Sequence, residues 1–333
     1  MDNLFSPNAE DEVEQAFETS MRPKTFNEII GRENIINNLQ LMINAAKKRG
    51  DALDHLIFHG PPGLGKTSIC NVIANEMGVP IHITSGPAIE RQGDLASIIS
   101  NIEDRAILFI DEIHRLNRTV EEILYPAMED RAIDLVIGKG PSAKTLRMEL
   151  QKFTLIGATT KVGSLSGPLR DRFGASFRFD FYDYSDLSEI VRQKAAILRI
   201  EIDDESAMEI ARRSRRTPRV AIRILKRVRD LAELSNSGRI SIAEVLKTLD
   251  MLEIDSIGLD YLDRRILRTI LNNYEGGPVG LSTLAAAISE DKETIEEVYE
   301  PFLIQVGLIQ RTSRGRIITS KAIKHIQDSN IDE

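Results

Sequence analysis

From about Leu53 to Tyr182, short apolar runs alternate with amphipathic stretches. The runs at 55–59, 80–84, 106–110, 153–158 and 177–181 read as strands, and near-continuous apolar strands separated by helices predict a parallel sheet covered on both faces. Past Tyr184 the strand signal stops. Ile190, Lys194, Ile197, then Ala207, Ile210, Ala211, then Ala221, Ile224, Leu225, Val228 follow helical spacing, which predicts a small all-α unit up to about residue 254. A third unit starts near Ser256. Its helical faces carry Leu262, Ile266, Leu267, Ile270 and Leu271, then Leu284, Ala287 and Ile288, then Ile295, Val298, Phe302 and Leu303 between about Lys292 and Val306. Two short apolar segments around a polar turn at Ser313–Gly315 close the chain as a hairpin, so three helices and a basic hairpin predict a winged helix. The expected division is 1–182, 183–254 and 255–333.

Composition narrows the class. With 42% hydrophobic and 28% charged residues the 333-residue chain is ordinary globular material, not a disordered one. The net charge of -8 gives no general attraction for nucleic acid or anionic lipid, so any polyanion site has to be local. The single Cys70 makes no internal disulfide, the start Met1-Asp2-Asn3 lacks a secretion pattern, and no apolar run reaches the roughly 20 residues that span a bilayer. A reduced cytoplasmic setting without a membrane is expected. His55, His59 and His82 fall on predicted strands and read as packed core side chains.

Gly60-Pro61-Pro62-Gly63-Leu64-Gly65-Lys66-Thr67 fits the phosphate-binding P-loop pattern, follows a predicted strand and opens a predicted helix. Main-chain N–H groups around Gly63 and Gly65 can turn toward phosphate oxygens at the positive end of that helix. Lys66 is expected to reach the β and γ phosphates and the Thr67 hydroxyl to ligate Mg²⁺, so ATP or ADP with Mg²⁺ is the expected cofactor. The strand 106–110 ends in Asp111-Glu112, at the carboxyl edge where a doubly wound sheet binds its ligand. Asp111 is expected to hold Mg²⁺ through its water shell and Glu112 to polarise the attacking water. A further strand ends in Ala158-Thr159-Thr160, and Thr159 is expected between the two earlier motifs as the γ-phosphate sensor. Arg170 and Arg172 precede the last strand; a guanidinium from a neighbouring subunit can meet charge developing on the γ-phosphate, although a surface salt bridge with Asp171 is the plainer reading.

P-loop, Asp-Glu, threonine and arginine in this order resemble the AAA+ ATPases, which carry an all-α lid on the sheet domain. The closest wording, through Ile110–Arg115, Gly157–Thr160, Pro168–Phe173, Met21-Arg22-Pro23, Thr217-Pro218-Arg219 and Arg311–Arg316, resembles the bacterial members that move Holliday junctions. The resemblance implies an α/β P-loop core with a parallel sheet, a helical lid and a winged-helix DNA-binding head. It also implies ATP hydrolysis in a homo-hexameric ring that drives branch migration of junction and duplex DNA with RuvA and RuvC, in the nucleoid-bearing cytoplasm. By it, Met21, Arg22 and the segment around Ile30 border the adenine, and Ser68 stands where threonine is common after the P-loop. Glu129, Asp130, Arg131 and Tyr182 match nucleotide-contact positions, Arg172 the trans-acting arginine finger and Arg219 the lid arginine that reads nucleotide state. The segment Asp134–Gly138, around Leu135–Ile137, matches the hairpin on which RuvA docks.

Two basic stretches remain. The run from Arg212 to Arg229 holds no acid; because Arg219 matches a nucleotide position, a nucleotide or subunit contact is expected ahead of a solvated face or a DNA site. The hairpin carries Arg311, Arg314 and Arg316, while the preceding helix carries Glu290, Asp291, Glu293, Glu296, Glu297 and Glu300, which would repel phosphates. The wing is therefore expected to meet DNA through phosphates, without reading bases. One alternative is a clamp-loader or initiator-type switch that assembles proteins on DNA. Another is a DNA-binding module with a degenerate nucleotide site, against which intact Lys66, Thr67, Asp111 and Glu112 stand.

Overall fold

The computed structural model describes residues 21–137, 144–235 and 238–329. Gly138 of the expected docking segment and the first residues of the chain lie outside them. The chain divides into two compact units: Arg22–Gly60 with Gly65–Asp180, and Phe181 onward with Pro61–Leu64 and Met21.

The first unit is built on five parallel strands, β1 (Leu56–His59), β2 (Ile81–Ser85), β3 (Ile107–Asp111), β6 (Thr154–Thr159) and β7 (Ala175–Arg178), in the order β2-β3-β6-β1-β7. Central strands are apolar because both of their faces are covered: β3 and β6 are buried along nearly their whole length. The covering helices are α1 (Glu33–Arg49), α2 (Lys66–Met77), α3 (Gln92–Ser100), α4 (Arg118–Glu129) and the single turn α5 (Gly167–Arg170). One core cluster joins Leu108 and Ile110 of β3 to Leu95 and Ile99 of α3 and to Leu124 and Ala127 of α4. Sequence chemistry sets the ends: α1 and α2 stop at Gly50 and Gly78 in left-handed backbone, and Asn117 caps α4 by accepting the Val120 N–H at 2.9 Å. An antiparallel hairpin, β4 (Ala132–Ile137) and β5 (Lys144–Glu149), projects after α4. The last sheet strand stops at Arg178, short of the expected Phe181.

The second unit begins with α6 (Tyr184–Ile197), α7 (Asp204–Arg213), α8 (Pro218–Leu234) and α9 (Ile242–Met251). The expected apolar positions of α7 and α8 are buried, whereas Ile197 is exposed. The region is not wholly helical, since Glu201–Ile202 (β8) pairs in parallel with Arg239–Ile240 (β9). The winged-helix part follows as α10 (Tyr261–Asn273), α11 (Leu281–Ile288), α12 (Lys292–Thr294), a π-helical turn Ile295–Tyr299, α13 (Glu300–Gln305), the hairpin β10 (Ile309–Thr312) and β11 (Gly315–Ile318), and α14 (Ser320–Ser329). Leu262, Ile266, Ile270, Leu284, Ile288, Phe302, Leu303 and Ile309 share one core. Ala285 is buried there while Ala287 faces out. Among the described residues no helix is long and apolar enough to cross a membrane.

Candidate active site

Three neighbouring strand ends assemble the site. The order β3-β6-β1 brings the acidic pair, the threonines and the start of the P-loop side by side along the carboxyl edge of the sheet. At the β1 end, Gly60 (φ 145°) lies so close to Phe179 that a Cβ would sit 2.2 Å from its carbonyl oxygen. Only glycine fits where the loop leaves the strand. Gly65, also at positive φ, begins α2. The buried Lys66 extends its ammonium to the Gly60 carbonyl at 2.8 Å. Burial lowers its pKa; Asp111 and Glu112 oppose that shift and Arg32 adds to it. Arg32 is a buried cation that no motif announced, donating to the Asp180 carbonyl at 2.6 Å and lying over the Phe179 ring at 5.4 Å.

At the β3 end, Asp111 Oδ1 accepts the Glu112 N–H at 3.0 Å. Glu112 takes left-handed backbone at φ 48°, an unusual conformation outside glycine that turns the chain sharply at the strand edge. The Thr160 hydroxyl donates to Glu112 Oε2 at 3.4 Å, and His114 Nδ1 lies 3.2 Å from the same oxygen. The two threonines have separate surroundings. Thr159 is 0% exposed, accepts the Lys161 N–H at 2.9 Å and sits 2.9 Å from His114 Nδ1; Thr160 is half-buried. Thr159 is fully enclosed, whereas the half-buried Thr160 hydroxyl, bonded to Glu112, is the more accessible of the two at this strand end. Thr67 and Asp111 offer hard oxygen donors, the kind Mg²⁺ takes, so the residues present fit that ion.

Arg172 belongs to the same unit. Its guanidinium donates to Glu129 Oε2 at 2.9 Å and to the Pro168 carbonyl at 2.7 Å and stacks on Tyr125 at 4.6 Å; Asp171 is not its partner. Asp130 pairs with Arg147 at 3.1 Å, and the exposed Arg131 lines a cavity of about 380 Å³ with Arg49, Asp51, His55 and Arg172. Arg22, Ile30, Thr67 and Ser68 are half-buried in this unit.

In the second unit the Arg219 N–H approaches the Gly63 carbonyl at 3.4 Å, and a Cβ on Gly63 (φ 76°) would meet Arg219 Cβ at 3.3 Å. Burial, with Arg223 beside it, brings the Arg219 pKa down to about 10, so it stays a cation at neutral pH. Tyr182 is buried; its N–H donates to the Arg216 carbonyl at 3.1 Å and its carbonyl accepts from Arg216 Nε at 2.8 Å, while Met21 is also buried. Several arginines of the 212–229 run turn out to be struts: Arg213 donates to the Asp255 carbonyl at 2.6 Å, Arg215 reaches Asp263 at 3.3 Å between the rings of Tyr299 and Phe302, and Arg216 pairs with Asp183 at 2.8 Å.

The three arginines of the wing differ in their surroundings. Arg316 is buried, its Nε and Nη2 donating to the two oxygens of Glu300 at 2.7 and 2.9 Å. Arg311, its register partner across the hairpin, pairs with Glu296 at 3.0 Å and stays exposed. Glu296 and Glu300, one helical turn apart, are therefore counter-ions of the hairpin. Arg314 at the turn is exposed.

A P-loop, an Asp-Glu pair and a threonine on adjacent parallel strands, with a helical region after the sheet, define an AAA+ type nucleoside triphosphatase. The chain matches three family models in succession: the Holliday junction DNA helicase RuvB P-loop domain over residues 21–179, the RuvB AAA lid domain over 182–255 and the RuvB C-terminal winged helix domain over 256–327. It belongs to the RuvB family. The Holliday junction branch migration complex subunit RuvB of Chloroflexus aggregans is 55% identical over 325 residues, spanning 98% of this chain and 93% of the relative. That of Fusobacterium nucleatum is 54% identical over 308 residues, 92% of this chain and 93% of its own. The solved Thermotoga maritima RuvB Holliday junction branch migration motor superposes with a TM-score of 0.85 at 49% identity, over 92% of this chain and 98% of that one.

Proposed function

We propose that this chain is an ATP-hydrolysing DNA motor that drives branch migration of Holliday junctions. The observation that carries the reading is the alignment of the P-loop start, acidic pair and threonine along the strand ends β3-β6-β1, with Lys66 opening the helix that follows, in a chain with a winged helix after the lid. The family match over nearly the whole chain favours a motor over a clamp-loader or initiator switch.

The residues divide the work by their chemistry. Main-chain N–H groups at Gly63 and Gly65 with Lys66 hold the phosphates, and Ser68 follows them on α2. Thr67 and Asp111 would hold Mg²⁺, which would supply neutralisation of phosphate charge. Glu112 orients and polarises water for in-line attack, and Thr160 reads the γ-phosphate. Met21, Arg22, Ile30 and Tyr182 border the adenine, and Arg219 meets the phosphates from the lid. Arg172, with Glu129, Asp130 and Arg131, serves the nucleotide of an adjacent subunit in a hexameric ring. Its loose partner Glu129 supports this, since a guanidinium with an exposed carboxylate can exchange it for phosphate. Arg311 and Arg314 touch DNA phosphates, the β4–β5 hairpin receives RuvA, RuvC joins at the junction, and the assembly works on cytoplasmic chromosomal DNA.

The test is ATP-dependent movement of a labelled synthetic four-way junction. The purified chain with RuvA should resolve it into two duplexes, and Glu112→Gln should abolish the reaction while ATP still binds. Protein assembly on DNA without any strand displacement would favour the switch.

A further inference from the structure

We infer that His114 is a positioning residue for hydrolysis: its Nδ1–H holds the Glu112 carboxylate against the end of β6 and so fixes the direction in which Glu112 polarises water. This rests on the role proposed above for Glu112.

The turn after β3 brings the imidazole back over the carboxylate. Glu112 is left-handed at φ 48°, and the 3-10 turn Ile113–Arg115 that follows is closed by the Arg115 N–H donating to the Glu112 carbonyl at 2.8 Å. His114 Nδ1 then lies 3.2 Å from Glu112 Oε2 and 2.9 Å from Thr159 Oγ1. A ring nitrogen facing a carboxylate oxygen carries the proton, because an unprotonated nitrogen there would set lone pair against lone pair. A proton on Nδ1 faces both the Glu112 carboxylate at 3.2 Å and the Thr159 oxygen at 2.9 Å.

Thr159 is a firm anchor. It is the last residue of a strand paired on both sides, it is fully enclosed, and its oxygen also accepts the Lys161 N–H at 2.9 Å. The chain of contact therefore runs from β6 through Thr159 and His114 to Glu112. Thr160 donates to the same Oε2 at 3.4 Å, so that hydrogen bond and the His114 contact at 3.2 Å meet on one oxygen and together restrain the last torsion of Glu112, which is otherwise broad and two-fold. The His114 side chain is only 7% exposed, which leaves it acting through Glu112 and not on the nucleotide itself. Small displacements of an orienting group cost much in rate: about 10²-fold for an ångström.

The experiment measures steady-state ATP turnover, KM, nucleotide binding and the thermal midpoint of the full chain with DNA for His114→Ala, His114→Asn and His114→Gln, and for His114→Ala combined with Glu112→Gln. The asparagine amide nitrogen falls where Nδ1 sits, and the glutamine one falls where Nε2 sits. Expected are kcat losses of about 10- to 100-fold for the alanine and glutamine variants, with KM within about threefold, and kcat within about threefold of the parent for His114→Asn. In the Glu112→Gln background, removing the imidazole should change kcat no further. The inference is overturned by a normal kcat in His114→Ala, by an asparagine variant as slow as the alanine one, or by a further kcat loss in the Glu112→Gln background. Normal turnover in Glu112→Gln alone would remove the role of Glu112, and this inference with it.

Discussion

Arg172 in the sheet unit and Arg316 in the wing each hold a glutamate, yet they stand at opposite ends of a scale. Glu129, the partner of Arg172, is 57% exposed, and an ion pair in that setting is worth about 0–1 kcal/mol. Water can replace it, and so can a phosphate. Arg316 and Glu300 are 9% and 3% exposed and joined through both carboxylate oxygens. Removing one partner there strands a buried charge, at a cost of about 3–5 kcal/mol. Solvent access, more than residue type or pairing, separates the exchangeable ion pair from the one locked into the fold.

Substitutions can break this comparison at either end. Arg172→Ala should lower ATP turnover by about 10³- to 10⁵-fold while nucleotide binding and the unfolding midpoint stay near those of the parent chain. Phosphate release and calorimetry check both halves, and a large stability loss would put Arg172 on the structural side. Arg316→Ala should instead destabilise the winged-helix part by about 3–5 kcal/mol in urea unfolding, with Arg316→Met plus Glu300→Leu recovering much of that loss. A cost below about 1 kcal/mol would show the pair to be as exchangeable as the other. Arg314→Ala, at the exposed hairpin turn, should leave unfolding unchanged and reduce the slope of log K for duplex DNA against log salt by about 1.

The smallest effect applies the same reasoning to a histidine. Burial lowers the His55 pKa, while the Met128 carbonyl contact and Asp54 only partly oppose it; its Nδ1 accepts the Leu155 N–H at 2.8 Å. A folded pKa below the unfolded value of about 6.5 means the unfolded chain binds more protons in the window beneath it. His55 therefore contributes its full stability above about pH 6.5 and loses it as the pH falls, by at most about 1.4 kcal/mol per pH unit. His55→Asn keeps an acceptor for Leu155 and should flatten that part of the profile. An unchanged profile would mean that His55 is not held neutral by burial.

The sheet and the nucleotide motifs were readable because their physical demands leave marks in single residues. Gly60 is glycine because Phe179 leaves no space for a Cβ, and Asp111-Glu112 follows an apolar run because β3 is covered on both faces. Thr159 and Thr160 could not be ranked in the same way. Successive residues at a strand end point to opposite sides, and nothing in Ala158-Thr159-Thr160 tells which side His114 fills. Strands of two residues such as β8 and β9 have no period to detect. The burial of Arg316 did leave a signal: Glu296 and Glu300 are one turn apart, and Arg311 and Arg316 face each other across a short hairpin, a match of two acids to two bases that counting charges along the chain conceals.

The central claim is that ATP is hydrolysed with Arg172 supplied by a neighbouring subunit. The direct measurement is ATP turnover in mixtures of Arg172→Ala and Lys66→Ala chains, each nearly inactive alone, titrated from one pure variant to the other. In mixed rings some sites pair an intact Lys66 with an intact Arg172, so turnover should rise to a maximum at intermediate ratios. A flat, inactive profile at every ratio, with mixed oligomers demonstrated, would contradict the account.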